Sequence, residues 1–294
     1  MGNFGGHALP GSFFLIFAIW YTVNIFRKYY ICRQRNQRFT SCIAYPCFCL
    51  CGRLKEFPLE GCCKILLISV GLFLEIYTGM RNGQFVAIGN GQHATMFFFF
   101  GLTGIMDILV HYRAPLPPDV DYISNILAFA VEGLLFKFHL HGRTDLDVLL
   151  HTFLLYIIAA SVFSLLLEMR FRHNVLATLA RAYLFFLQGT WFWHVGYILY
   201  NPVSSAGRWD EENKEQMMLA TLYFSWHVGA VFVFMLLIGA VIACLYRNGT
   251  MVSDEDDIAM KRLIHTGANG QTLVSLNDDT DSDVDIEFEK PVSK

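Results

Sequence analysis

The sequence predicts an all-α fold, a polytopic membrane protein built as a seven-transmembrane-helix bundle with a disordered cytosolic tail. Three observations lead there. The 294 residues are 54% hydrophobic and 16% charged, with 27 Phe and a mean hydropathy of +0.41, a balance foreign to soluble domains. Seven windows carry the roughly 20 apolar residues that a helical bilayer crossing needs. Basic residues crowd into alternate connecting segments, as expected when short cytosolic loops are positively charged. The chain divides into a membrane domain over residues 1–246, with a Cys-rich basic cytosolic loop at 31–61, and an acidic tail over 247–294.

The windows are Gly11–Tyr30, Cys62–Met80, Gln92–His111, Ile123–His141, Val148–Glu168, Val175–Tyr200 and Met217–Tyr246. Residues 1–10 form a short lead-in whose Pro10 suits a helix start. Arg27 and Lys28 follow the first window and no basic residue precedes it, which is the reverse of a cleavable signal peptide. It reads as an uncleaved anchor with a luminal or extracellular N-terminus. The next loop holds Arg33, Arg35, Arg38, Arg53, Lys55 and Lys64, the loop after window five Arg170 and Arg172, and the tail Arg247, Lys261 and Arg262. The alternate loops hold only Arg81, Arg143, Arg208 and Lys214, so the C-terminus is expected in the cytosol.

In the 31–61 loop, Cys47, Cys49 and Cys51 make a C-x-C-x-C run beside basic residues at a membrane surface. Reduced cytosolic thiols in that setting are palmitoylation candidates; inert packing cysteines are the alternative. The spacing fits no standard zinc knuckle. After window two, the segment from Arg81 to Gly91 reads as a glycine-rich outer turn without the strand-then-helix context of a phosphate loop. Gly142 is the expected C-cap of window four, and Trp191, Trp193, Tyr197 and Tyr200 form an outer aromatic belt in window six. Beyond Asn248 the chain is polar and acidic, with no apolar periodicity. It is expected to be disordered, and Ser275, Thr280 and Ser282 are phosphorylation candidates.

The third window places its ionisable groups on one stripe. With His93 as zero and about 100° per residue, Asp107 falls near −40° and His111 near 0°. Such a stripe should face protein or a wet cavity, because lipid penalises charge by several kcal/mol. Depths read at about 1.5 Å per residue collect Glu75, His93, Glu132, His139, His141, His151, His194 and His227 in the outer half, with Gln188 near His194 and His7 on the same side. The inner half holds Asp107, His111 and Glu168. Neutral imidazoles beside carboxylates suit zinc or iron, and His93, His139, His151 and His227 with Glu132 and Glu75 are the candidate metal residues. Asp107, His111, Glu168, Gln188, His194 and His141 form the candidate polar network. The same groups could instead sense luminal pH, since imidazole titrates near 6.5, or simply hold the helices together.

These residues carry a resemblance. GHALPG around His7, QHATM around His93, Asp107, VEG at Glu132, HLHGR from His139 to Arg143, His151, Glu168, QGTWFW from Gln188 and WH at Trp226-His227 occur in order over about residues 5–230. In these motifs the chain resembles the transmembrane protein 45 family, seven-helix membrane proteins that include the transmembrane epididymal proteins. The Cys-rich loop and the shortened second outer loop depart from that pattern, as does His194, where the family tends to carry Gln. The resemblance implies residence in Golgi, endosomal or plasma membranes and no established catalysis.

The leading expectation is therefore a non-enzymatic membrane protein that acts through partners or by responding to its luminal environment. Its partners would be the lipid bilayer and proteins met by the cytosolic loop and tail, without nucleic acid. A metal-dependent intramembrane hydrolase is one alternative, with Glu132 or Glu75 activating water, although no HExxH-type pair fixes two ligands on one helix. A bis-His haem electron carrier using His93 and His227 is another. A transporter is third, with no interrupted helices or repeat halves to support it.

Overall fold

Side-chain caps and apolar runs set the elements. The computed structural model describes residues 3–47, 57–140, 142–203, 207 and 209–248. Among these residues there are seven α-helices: α1 (Phe4–Gln34), α2 (Leu59–Gly79), α3 (Ile88–His111), α4 (Val120–Phe138), α5 (Asp145–Arg170), α6 (Val175–Tyr200) and α7 (Lys214–Arg247). Asn3, Asn174 and Asn213 cap α1, α6 and α7, each side chain accepting a bond from a backbone N–H of the first turn. A two-residue hairpin, β1 (Met80–Arg81) with β2 (Gln84–Phe85), turns at Asn82 and Gly83, both at positive φ.

Several helices begin or end away from the apolar windows. α1 starts six residues before Pro10, which lies inside the helix. The glycine-rich segment supplies only the hairpin turn; Gly89, Asn90 and Gly91 are already helical. α4 stops at Phe138 with His139 as its C-cap, and Gly142 comes three residues later at φ 76°.

Consecutive helices run in opposite directions, as cross-helix contacts at each end show. The start of α1 meets the start of α5 and the end of α6 through His7, His151 and Tyr200. The end of α1 meets the end of α7 through Tyr30 and Tyr246. We call the end that carries His7 the upper end. Around the bundle α1 packs on α6, α6 on α5, α5 on α4, α4 on α3 and α3 on α2, while α7 lies against α1 and α6. Glycines allow the two closest approaches. A Cβ on Gly11 would sit 3.0 Å from the Gly189 carbonyl oxygen, and one on Gly104 would sit 3.0 Å from that of Gly61.

The outward faces are apolar. Leu66 is 65% exposed, Phe73 64% and Phe232 57%, so the surface of α2 and α7 is hydrocarbon where a soluble bundle would be charged. By length and composition α1, α3, α5 and α7 could cross a membrane. The other three carry buried charge or amide groups, including Lys64, Glu132 and Arg181.

The loop after α1 departs most from expectation. Phe39, Thr40, Ser41, Ile43, Tyr45 and Cys47 are buried and fill the lower end. Ser41 N donates to the Arg172 carbonyl at 2.7 Å, the Ser41 and Tyr122 hydroxyls bond at 2.8 Å, and Tyr45 N donates to Glu60 at 2.8 Å. Burial pushes the Tyr45 phenol well above its usual range and keeps it neutral. The segment is a plug, not a free cytosolic docking surface. Cys47, one of the three palmitoylation candidates, is buried within it. Cys49 and Cys51 lie outside the described residues, as do His141 and the acidic tail with its three phosphorylation candidates.

Candidate functional site: a histidine-rimmed cavity

A cavity of about 690 Å³ lies among α1–α6 and reaches the upper surface. Its rim is polar, its walls are mostly Phe, and Lys64 and Tyr21 stand at its floor.

The rim is a chain of contacts from α2 to α1. Asn90 donates to the Glu75 carboxylate at 2.9 Å, and His93 Nδ1 lies 3.3 Å from the other carboxylate oxygen. The His93 ring faces His139, centroids 5.0 Å apart. His139 Nδ1 is 2.7 Å from Gln92 Oε1, and its Nε2 is 2.5 Å from Arg143 Nη2. A guanidinium can only donate, so Nε2 accepts and Nδ1 carries the proton. Arg143 continues to Asp147 at 2.7 Å, Asp147 to His151 Nδ1 at 2.7 Å, and His151 Nε2 lies 3.4 Å from His7 Nε2. Five elements are joined by this chain.

Halfway down, Glu132 accepts from Gln188 Nε2 at 2.9 Å, helix α4 to helix α6. Below, Lys64 bridges Asp107 at 2.5 Å and Glu60 at 2.9 Å; Glu60 also accepts from Trp20 and Tyr21. Beside them Arg181 pairs with Glu168 at 2.7 Å, donates to the Cys42 carbonyl of the plug, and lies over the Tyr21 ring at 4.7 Å. Tyr122 donates to Glu168 at 3.2 Å.

Among the residues expected from sequence, the structure thus unites Glu75, His93, His139 and His151 at the rim, places Glu132 with Gln188, and ties Asp107 and Glu168 into buried ion pairs. It does not make one cluster of them. His227 Nε2 bonds His194 Nδ1 at 3.0 Å beside Trp191, between α6 and α7, and neither lines the cavity. The pairing of His93 with His227 across a haem has no geometric basis here. His111 is exposed beside Tyr112 and falls off the stripe, because α3 ends there. Among the described residues no three His, Cys, Asp or Glu side chains converge to hold a metal ion. His139 has both ring nitrogens committed to Gln92 and Arg143, which leaves no lone pair for a ligand bond.

Sequence reasoning missed Glu60, Lys64, Arg143, Asp147 and Arg181. Arg181 and Lys64 had a signal. Each is a cation in or beside an apolar window, with an acid available at matching depth on another helix, Glu168 and Asp107 respectively.

Comparison with known proteins bears on what this architecture belongs to. Residues 119–240 match the family described as "Family of unknown function (DUF716)". The chain is 24% identical over 246 residues to transmembrane epididymal protein 1A of Mus musculus, covering 78% of this chain and 77% of that protein. It is 23% identical over 245 residues to transmembrane epididymal protein 1 of Rattus norvegicus, covering 78% and 77%. With the Homo sapiens protein of that name the identity is 26% over 209 residues, covering 64% and 74%. The chain is similar to the transmembrane epididymal proteins over most of its length. Like them it is an integral membrane protein, in keeping with its apolar outer faces. The matched family segment runs from α4 into α7, so it contains Glu132, Arg143, Asp147, His151, Arg181 and Gln188, while α1–α3 complete the cavity.

Proposed function

We propose that this relative of the transmembrane epididymal proteins is a seven-span, non-enzymatic membrane protein of Golgi, endosomal or plasma membranes that responds to luminal pH at the cavity rim. In this reading the N-terminus and upper end are luminal or extracellular and the C-terminus is cytosolic. The charge distribution supports that orientation: Arg27, Arg33, Arg35, Arg38, Arg170, Arg172 and Arg247 all belong to the lower end or its adjoining loops.

The observation that carries the pH reading is the Arg143–His139–Gln92 relay. Protonating His139 turns Nε2 from acceptor to donor, breaks the 2.5 Å contact and sets an imidazolium against a guanidinium. Acidification therefore releases α4 and the following turn from the rim.

The experiment is a melting profile of the purified full chain from pH 7.5 to 5. The melting temperature should fall by a few degrees, the scale of about 1 kcal/mol, as the pH drops below the ordinary imidazole value of about 6.5. His139→Gln, which cannot gain a proton, should flatten the profile. A wild-type melting temperature that does not change across this range overturns the reading.

A further inference from the structure

Glu132 is a mid-depth carboxylate with a peculiar setting. It is 3% exposed, and among the described residues its hydrogen-bond partner is the Gln188 amide alone. Oε2 of Glu132 and Oε1 of Gln188 are both buried without a partner, and with Glu132 ionised both are acceptors. Reversing the Gln188 amide would not help, because its nitrogen is needed to face Glu132. Two orphan acceptors on one rung ask for a donor, and the structure brings no cationic side chain into contact with Glu132.

What surrounds the rung is aromatic. One helical turn to either side of Glu132 are Phe129 and Phe136, and Gln188 is flanked likewise by Phe185 and Phe192. The rings pair across the helices, Phe129 with Phe185 at 5.3 Å and Phe136 with Phe192 at 5.9 Å, above and below the rung. Phe14 of α1 closes the side, in ring contact with Phe129, Phe185 and Phe192. The faces of such rings attract cations, and a carboxylate within them adds direct pairing. The floor below reinforces the sign, since Lys64 alone faces both Asp107 and Glu60. Phe13, Phe17, Ile68 and Phe97 also line the cavity, an apolar stretch that ends at the Lys64 ammonium, 5.6 Å over the Phe17 ring. Its 690 Å³ is within the range of about 300–1,000 Å³ that holds small organic ligands.

We propose that Glu132, held from behind by Gln188, binds with Phe14, Phe136, Phe185 and Phe192 the ammonium head of a cationic amphiphile whose alkyl chain lies in the cavity. An ammonium supplies a donor to the orphan Oε2 of Glu132 and the countercharge that Glu132 lacks. A carboxylate or phosphate head would meet only acceptors there. This assignment is independent of the pH response at the rim, and a flat pH profile would leave it standing.

The test uses the purified full chain in nanodiscs, with dodecylamine, dodecanol and dodecanoate as probes below their micellar concentrations, and binding read by native mass spectrometry and melting shift. Dodecylamine should bind saturably, about tenfold or more tighter than dodecanol, because a charged bond in a buried site contributes on that order. Dodecanoate should be weakest. Glu132→Gln keeps the bond to Gln188 and should abolish the preference for the amine while leaving dodecanol binding unchanged. Should that variant fail to fold, Phe14→Leu should weaken dodecylamine several-fold and spare dodecanol. Equal binding of amine and alcohol, tighter binding of dodecanoate, absence of dodecylamine binding, or full amine preference in Glu132→Gln or Phe14→Leu would each overturn the assignment.

Discussion

Arg181 shows what one side chain can be worth in this bundle. It is buried, paired with a fully buried Glu168, and bonded to the plug through Cys42. Arg181→Leu leaves Glu168 charged and alone, which should cost about 3–5 kcal/mol, whereas Arg181→Leu with Glu168→Leu should recover much of that loss. Melting of the three proteins in one detergent checks it: if the double variant is no more stable than the single one, the pair is not the origin of the loss. The residue scale is also where the sequence was least legible. A 100° rotation per residue put Asp107 on an inward stripe correctly, but the same wheel put His111 there too. Helical rotation cannot know that α3 ends at His111 and leaves its ring in the open. Nor could depth along the axis separate His194 and His227 from the cavity: equal depth does not mean equal azimuth.

At the scale of elements, α1 and α6 meet where Gly11 faces Gly189, with no room for side chains between them. Gly189→Leu should drive the helices apart and cost about 1–3 kcal/mol or more, while Gly229→Ala, at a position that meets nothing, should be nearly neutral in the same melting assay. The plug yields a chemical prediction. Native protein treated with N-ethylmaleimide in detergent should be modified at exposed Cys244 well before buried Cys32 and Cys47, with the sites separated by peptide mass spectrometry. Equal rates at Cys47 and Cys244 would mean that the loop does not stay folded in. The helices themselves were legible because apolar length is a strong local signal: the window Val175–Tyr200 coincides with α6, and α5 and α7 extend theirs by only a few polar residues. The plug was not legible. Its cysteines and arginines read as surface chemistry, and only the tertiary fold supplies Tyr122, Arg172, Arg181 and Glu60 as partners for its backbone and side chains.

For the whole molecule, the opposite ends differ in kind. Above, the contacts are imidazoles and amides that can exchange protons; below, they are tight ion pairs locked by Tyr21 and Tyr122. The proposed orientation predicts that an N-terminal epitope tag becomes accessible only when luminal compartments or the cell exterior are reached. A C-terminal tag should be stained once the plasma membrane alone is permeabilised. The reverse pattern would turn the rim toward the cytosol and remove its exposure to acid. The general architecture and the family resemblance could be read from the chain before any coordinates, because both rest on order along the sequence. The separation into rim, aromatic rung and ion-pair floor could not, since it depends on which helix neighbours which.

The buried loop over residues 39–47 gives the molecule the form of a cup. Ser41, Cys42 and Tyr45 tie that base to Arg172, Tyr122, Arg181 and Glu60. Any message passed downward from the rim would travel as a shift in that stopper.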